Sequence, residues 1–354
     1  MKYSIIVPVY NRPDEVDELL ESLSNQTHRD FEVIIVEDGS VKTCKDVCDK
    51  YADILALHYY AKENSGPGQS RNYGAERSNG EWLLILDSDV VLPKGYLEAI
   101  DKSLSSTSDE IAAFGGPDAA HPSFTPVQKA ISYSMTSFFT TGGIRGSSSQ
   151  SGGARGALDK FYPRSFNMGI RRDVYLHLGG FTKMRFGEDI DFSYRIVEAG
   201  YRPRLFPDAW VWHKRRTDFK KFFRQVYNSG IARINLEKRH PGTMKLVHLL
   251  PTVFTVGVIA LILISAVGRA LMHYVDRDQF YWMCFAPWIP IIFFSLLICI
   301  DSTIKNRSLR VGLLSVPAAF VQLMGYGLGF IESWWKRCVL NQDEFQAFEK
   351  TFYK

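Results

Sequence analysis

Residues 246–268, 280–300 and 311–331 contain no Asp, Glu, Lys or Arg. Each stretch meets the requirement of about 20 apolar residues for crossing the hydrocarbon core of a bilayer. Buried helices of soluble proteins rarely run so far without a charge, so the last third of the chain reads as a membrane region. The third stretch is weakened as a helix by Pro317 and by Gly325, Gly327 and Gly329, and is expected to be re-entrant or interfacial unless Gly325 and Gly329 serve as a GxxxG contact face. Lys and Arg close to the spans, counted on each side, place the part ahead of them in the cytoplasm of a bacterial inner-membrane protein.

Ahead of the first span lies "HKRRTDFKKFFRQVYNSGIARINLEKRH". Phe219, Phe222, Phe223, Val226, Tyr227, Ile231 and Ile234 recur there at helical spacing, flanked by Lys220, Lys221 and Arg224. Residues 216–245 are therefore expected to form a basic amphipathic helix lying on anionic head groups, or else a helix packed on the globular domain. A formal net charge of +4 over 354 residues is mild, and no nucleic-acid partner is expected. The opening "MKYSIIVPVY" is too short and too interrupted for a signal peptide. Cys44, Cys48, Cys284, Cys299 and Cys338 form neither a metal-ligand spacing nor a paired framework, as suits a reducing compartment.

The first 215 residues alternate apolar runs with helical periodicity. "YSIIVPVYN", with Pro8 expected to stop the strand, is followed by the helix-like "RPDEVDELLESLSNQ". "FEVIIVEDGS", a helix from Lys42, a strand near Ile54 to Tyr60, the helix of "GPGQSRNYGAERSNGEW" and the strand "LLIL" complete the rhythm. Such alternation predicts an α/β domain with a mostly parallel sheet and helices on both faces. Ligands of such sheets bind at the carboxyl ends of the strands. That rule brings Pro8 to Arg12, Glu37 to Ser40 and Asp87 to Asp89 to one rim. A buried strand that ends in "DSD" needs a neutralising partner, and the spacing of Asp87 and Asp89 suits one divalent ion, Mg²⁺ or Mn²⁺, bridged to a diphosphate.

The motifs "SIIVPVYNRPDEV", "VIIVEDGS", "GPGQSRNYGAERSNGEWLLILDSDV", "FNMGIRRDVYLHLGGF" and "FGEDIDFSYRIVEAGYRPRLFPDAWVWH" resemble, in order, those of family 2 glycosyltransferases with the GT-A fold. The resemblance covers about residues 1–215 and implies a Rossmann-like catalytic domain that uses a nucleotide-diphosphate-sugar donor. It assigns Pro8, Val9, Tyr10 and Asn11 to the loop around base and ribose, Asp38 to the base imino group, and Arg71, Asp87 and Ser88 to the nucleotide and its phosphates. It makes Asp87 and Asp89 metal ligands, with His213 as a candidate third. Asp189 is the implied base, since a sugar hydroxyl must lose its proton as it attacks, and Glu188 is expected to raise its proton affinity by like-charge repulsion. Asp191 reads as a solvated first-turn residue. Phe166, Asn167, Met168 and Gly169 are expected to shape the acceptor pocket, and the Gly/Ser-rich residues 141–156 to order over substrate.

The expected enzyme is an inverting, metal-dependent glycosyltransferase anchored in the membrane, acting on a lipid-linked or glycan acceptor. A polyprenyl-phosphate sugar synthase is the near alternative, and a catalytically silent membrane scaffold the alternative from another class. A processive synthase lacks its Gln-x-x-Arg-Trp element here, and a transporter lacks acidic, Lys or Arg residues in its spans. Residues 332–354 are left as a C-terminal tail.

Overall fold

A computed structural model of the chain describes residues 1–107, 111–142, 161–184, 186–272, 282 and 284–348. Two compact units emerge. Among the described residues the first comprises 1–121 and 161–214, and the second 122–142 and 215–348.

The first unit is built on a seven-stranded sheet. In chain order its strands are β1 (Tyr3–Val9), β2 (Phe31–Asp38), β3 (Leu57–Lys62), β4 (Trp82–Leu86), β6 (Ile111–Gly115), β8 (Asn167–Arg171) and β9 (Arg202–Leu205). Their spatial order is β3-β2-β1-β4-β8-β6-β9, and only β8 runs against its neighbours. The strands read as unbroken apolar runs because both faces are covered. Along β1, Ile5, Val7 and Val9 enter one core with Val33, Ile35, Leu84 and Leu86, while Ile6 enters the other with Ile34, Val36, Leu83 and Ile85.

Pro8 does not end β1. It pairs opposite Val36 of β2, whereas the pairing with β4 stops at Ile6, so Pro8 falls beyond the four-residue overlap of β1 with β4. Helices α1 (Pro13–Ser24), α2 (Lys45–Tyr51), α3 (Pro67–Glu76) and α4 (Tyr96–Ser105) connect the strands. Both α1 and α3 begin with proline, whose missing N–H costs nothing in a first turn. A second, three-stranded sheet of β5 (Val90–Val91), β10 (Val211–His213) and β7 (Asp118–Ala119) sits just beyond the end of β4 in the chain and carries its acidic residues to His213.

The second unit is helical. It contains α5 (Pro126–Thr136), α6 (Phe138–Thr141), α9 (Phe219–Arg239), α10 (Leu250–Leu271), α11 (Ile289–Asn306) and α12 (Leu309–Trp334), α7 (Arg172–His177) and α8 (Glu188–Glu198) belonging to the first unit. Segments Leu246–Leu271, Ala286–Asn306 and Leu309–Val339 are long and apolar enough to cross a membrane. The third is one continuous helix through Pro317, about 39 Å long over the 26 residues of α12, rather than a broken one.

Its glycines are where neighbours come close. A Cβ on Gly329 would lie 2.0 Å from the Tyr227 carbonyl oxygen, and one on Gly327 2.2 Å from Thr255 Oγ1. Close helix approach through small residues replaces the packing that bulky side chains would give. The apolar face of α9 is thus in contact with α12, Phe222 and Val226 being buried in a cluster with Ile131 and Met135. The tail returns along α9: Ala347 N donates to Asn228 Oδ1 at 3.0 Å, and Arg239 pairs with Glu344 at 2.8 Å.

Candidate active site

All residues of the candidate site belong to the first unit. Three strand ends build its rim. After β1, Asn11 takes a left-handed backbone at φ 55° and binds the loop after β2, its N–H donating to Ser40 Oγ at 2.7 Å and its Oδ1 accepting from Val41 N and Lys42 N at 2.8 and 2.9 Å. Pro8 and Val9 are the last residues of β1, and Tyr10 follows half-buried. Asp38, at the end of β2, is buried and accepts from Ser65 N and Gly66 N at 2.9 Å each and from Lys62 Nζ. Its neighbour Glu37 is committed to the scaffold, accepting from Cys44 N at 2.7 Å and from the Ser40 hydroxyl.

The chain itself neutralises the acids that end β4. Arg71, on α3, is 3% exposed and donates through Nη2 to Asp87 Oδ1 at 2.7 Å. Its other arm donates to Glu188 Oε1 at 3.1 Å. Burial works against the guanidinium charge, but Asp87 and then Glu188 outweigh it and hold the pKa above its ordinary value. Arg71 is thus turned into the protein, where two carboxylates offset the cost of burying a cation. Asp89 is met by Arg12 Nη1 at 3.1 Å and by His213 Nε2 at 3.2 Å. Ser88, buried between the two acids, donates to Glu15 Oε2 at 3.5 Å.

One ligand atom each from Asp87, Asp89 and His213 falls within 4.8 Å of the others. Two carboxylate oxygens and an imidazole nitrogen form a donor set compatible with Mn²⁺, and the carboxylates also suit Mg²⁺. His213 is held from two further sides: Asp118 Oδ2 lies 3.8 Å from Nδ1, and the Phe166 ring stacks on the imidazole at 4.7 Å between centroids. A carboxylate behind the distal nitrogen orients such a ring.

Helix α8 opens with three acids, which its N-terminus favours. Glu188 is 8% exposed, and burial, opposed by Arg71 and reinforced by Asp189, raises its pKa to about 7. Asp189 remains 17% exposed at its side chain, with Arg164 Nη1 3.6 Å from Oδ2 and its own Oδ1 accepting from Ile190 N at 2.9 Å. Asp191 is not solvated. It is 2% exposed, accepting from Thr182 Oγ1 at 3.0 Å and pairing with Arg195 at 3.1 Å.

The stretch expected at the acceptor pocket divides in two. Phe166 faces His213, whereas Asn167, Met168 and Gly169 are core positions of β8. Asn167 accepts from Tyr96 Oη at 2.7 Å and donates to the Ala209 carbonyl at 2.8 Å, and a Cβ on Gly169 would meet the Phe114 ring at 2.0 Å. Residues 143–156 of the Gly/Ser-rich stretch lie outside the described residues. Arg12, Asp118 and Arg164 were not singled out as site residues from sequence. Arg12 sits on the predicted rim and Asp118 follows the glycines that end β6, but pairing across 77 residues, as between Arg12 and Asp89, leaves no local trace.

A model of the family described as "Glycosyl transferase family 2" matches residues 4–174. Residues 4–174 form a glycosyltransferase family 2 domain. An uncharacterised glycosyltransferase of Rickettsia bellii is 40% identical over 97 residues, 27% of this chain and 14% of that protein. The pre-mycofactocin glycosyltransferase of Mycobacterium tuberculosis is 27% identical over 289 residues, 76% of this chain and 53% of that protein. The chain therefore spans about half or less of the length of these curated relatives. Among solved structures, the mannosyltransferase PcManGT from Pyrobaculum calidifontis, in complex with GDP-Man and Mn²⁺, superposes with a TM-score of 0.56 at 14% identity, covering 95% of this chain and 88% of that one. The glycosyltransferase domain thus has the GT-A fold.

Proposed function

We propose that the chain is an inverting glycosyltransferase that moves a sugar from a nucleotide-diphosphate donor to a lipid-linked or glycan acceptor at a membrane, with the catalytic domain on the cytoplasmic side. The observation that carries this reading is the convergence of Asp87, Asp89 and His213 at the carboxyl edge of the sheet. A divalent cation, Mg²⁺ or Mn²⁺, bound by these three residues would supply Lewis-acid neutralisation of the departing diphosphate.

The chain's own residues divide the remaining work. Pro8, Val9, Tyr10 and Asn11 line the donor end of the rim, and the Tyr10 ring is the aromatic surface for a base. Asp38 Oδ2 accepts a single backbone N–H and keeps a lone pair for the imino hydrogen of that base. Asp189 takes the proton of the attacking hydroxyl, with Arg164 Nη1 3.6 Å from its Oδ2. Attack opposite the leaving group inverts the anomeric centre. The apolar helices of the second unit support an acceptor presented from a bilayer.

The test is a donor screen with the full chain in detergent, native lipid extract as acceptor source, and UDP- and GDP-linked sugars. Nucleotide release that requires Mn²⁺ or Mg²⁺ and accompanies a glycosylated product supports the proposal. Binding of donors without any release would make the chain a scaffold, and release indifferent to chelator would remove the metal.

A further inference from the structure

Arg71 occupies an unusual electrical position. It is a buried cation whose only ion-pair partners among the described residues are Asp87, a candidate metal ligand, and Glu188, the residue next to the candidate base. The three groups come from separate elements: α3, the end of β4 and the first turn of α8. A Cβ on Gly68, in the same α3, would lie 3.2 Å from Phe181 Cβ and in ordinary contact, 3.8 Å, with Glu188 Cγ, so α3 packs tightly on the loop ahead of α8 and touches its first residue. The Phe181 ring lies 5.2 Å from the guanidinium carbon. This leaves Arg71 little freedom to move away from either carboxylate.

A cation placed on Asp87 repels the guanidinium and competes with it for the charge of the same carboxylate. The charge of Arg71 is then compensated by Glu188 alone. Arg71 in turn has weight in the competition for Asp87 that depends on how much of its charge Glu188 already balances. We propose that Arg71 is a positioning residue that couples cation affinity at Asp87 to the seating of the α8 turn carrying Asp189, with Glu188 as the counter-charge that makes the exchange possible. The coupling rests on the reading of Asp87, Asp89 and His213 as a metal site. Linkage makes it reciprocal: whatever Glu188 does for the cation, the cation does for the grip of Arg71 on Glu188. Loading the donor site thereby fixes the first turn of α8 before the acceptor is deprotonated.

The sign of the effects separates this role from a purely structural one. Glu188→Gln, which keeps shape and a hydrogen-bond acceptor, leaves Arg71 balanced by Asp87 alone and weakens Mn²⁺ binding about fivefold or more, although residue 188 is no ligand. Arg71→Gln removes the competitor and tightens Mn²⁺, while kcat collapses with little change in donor KM. Arg71→Lys, which keeps the charge without the two-armed fork, lies between Arg71→Gln and wild type. The measurement is Mn²⁺ binding to the full chain in detergent at pH 8, where Glu188 is ionised, without donor, followed by the electron paramagnetic resonance signal of free Mn²⁺. Wild-type affinity in Glu188→Gln, or weaker binding in Arg71→Gln, overturns the coupling while leaving the metal site intact. Should Arg71→Gln fail to fold, Glu188→Gln decides alone. A wild-type chain that binds no Mn²⁺ removes the metal site, and the coupling with it.

Discussion

His213 Nε2 stands 3.2 Å from Asp89 Oδ1, at the point where β10 runs antiparallel to the short strand that follows the acidic pair. The contact joins a residue near the end of the first unit to one 124 positions earlier, and makes His213 the imidazole member of a cluster otherwise made of carboxylates.

Removing either partner therefore has a separable effect. Asp89→Ala is expected to abolish metal-dependent nucleotide binding, whereas His213→Ala weakens it about tenfold, within the range that loss of one supporting group produces. Isothermal titration of UDP and GDP with Mn²⁺ and with chelator checks both. Unchanged affinity in Asp89→Ala under the two conditions would be fatal to the site.

Asp189→Asn should bind donor normally and lose transfer to a hydroxyl acceptor by about 10²–10⁴-fold, the usual contribution of a positioned base. Donor affinity and turnover measured on one preparation make the comparison. Normal turnover removes Asp189 from the role of base.

Glu188 gives a pH signature with a defined sign. Its carboxyl goes from an ordinary 4.5 to about 7, chiefly through burial, so between these values the folded state holds a proton that the unfolded chain has lost. This contribution to stability is fully present below about 4.5 and is lost as pH rises through about 7. Glu188→Gln should flatten that part of the profile, read as the unfolding midpoint of the detergent-solubilised chain from pH 4.5 to 8. A wild-type slope that survives the substitution assigns it to another group.

Two glycines of the apolar helices should respond in opposite directions. In Gly329→Ala the new methyl meets the Tyr227 carbonyl oxygen, and the α9–α12 contact must open, costing about 1–3 kcal/mol. At Gly257 a Cβ meets nothing within 4 Å, so Gly257→Ala should be neutral or stabilising by up to about 1 kcal/mol through helix propensity. Thermal unfolding in one detergent compares them; equal losses at both positions would show that α12 is not closely packed on α9.

The alternation of apolar runs and helical periods in residues 1–100, and the uncharged stretches after residue 245, were legible because they are local patterns: a buried strand or a spanning helix declares itself in its own residues. The rim was legible for a topological reason, since in a mostly parallel sheet most strand ends must open on the same side. Asp87 and Asp89 could be placed there without coordinates. What occupies their oxygens could not. Arg71 serving Asp87 and Glu188, Arg12 reaching Asp89, Arg164 beside Asp189 and the stacking of Phe166 on His213 are contacts between distant segments, chosen by the reach and burial of individual side chains once the sheet has closed. The same holds for Asn167 and Gly169, whose motif suggested a pocket and whose strand takes them into the core, and for the glycines of α12, which read locally as helix breakers and act as contact points. Sequence by itself determined which elements form and which edge of the sheet carries the acids; tertiary structure alone decided which charge neutralises which, because a buried ion pair depends on distances of a few ångströms that no spacing along the chain encodes.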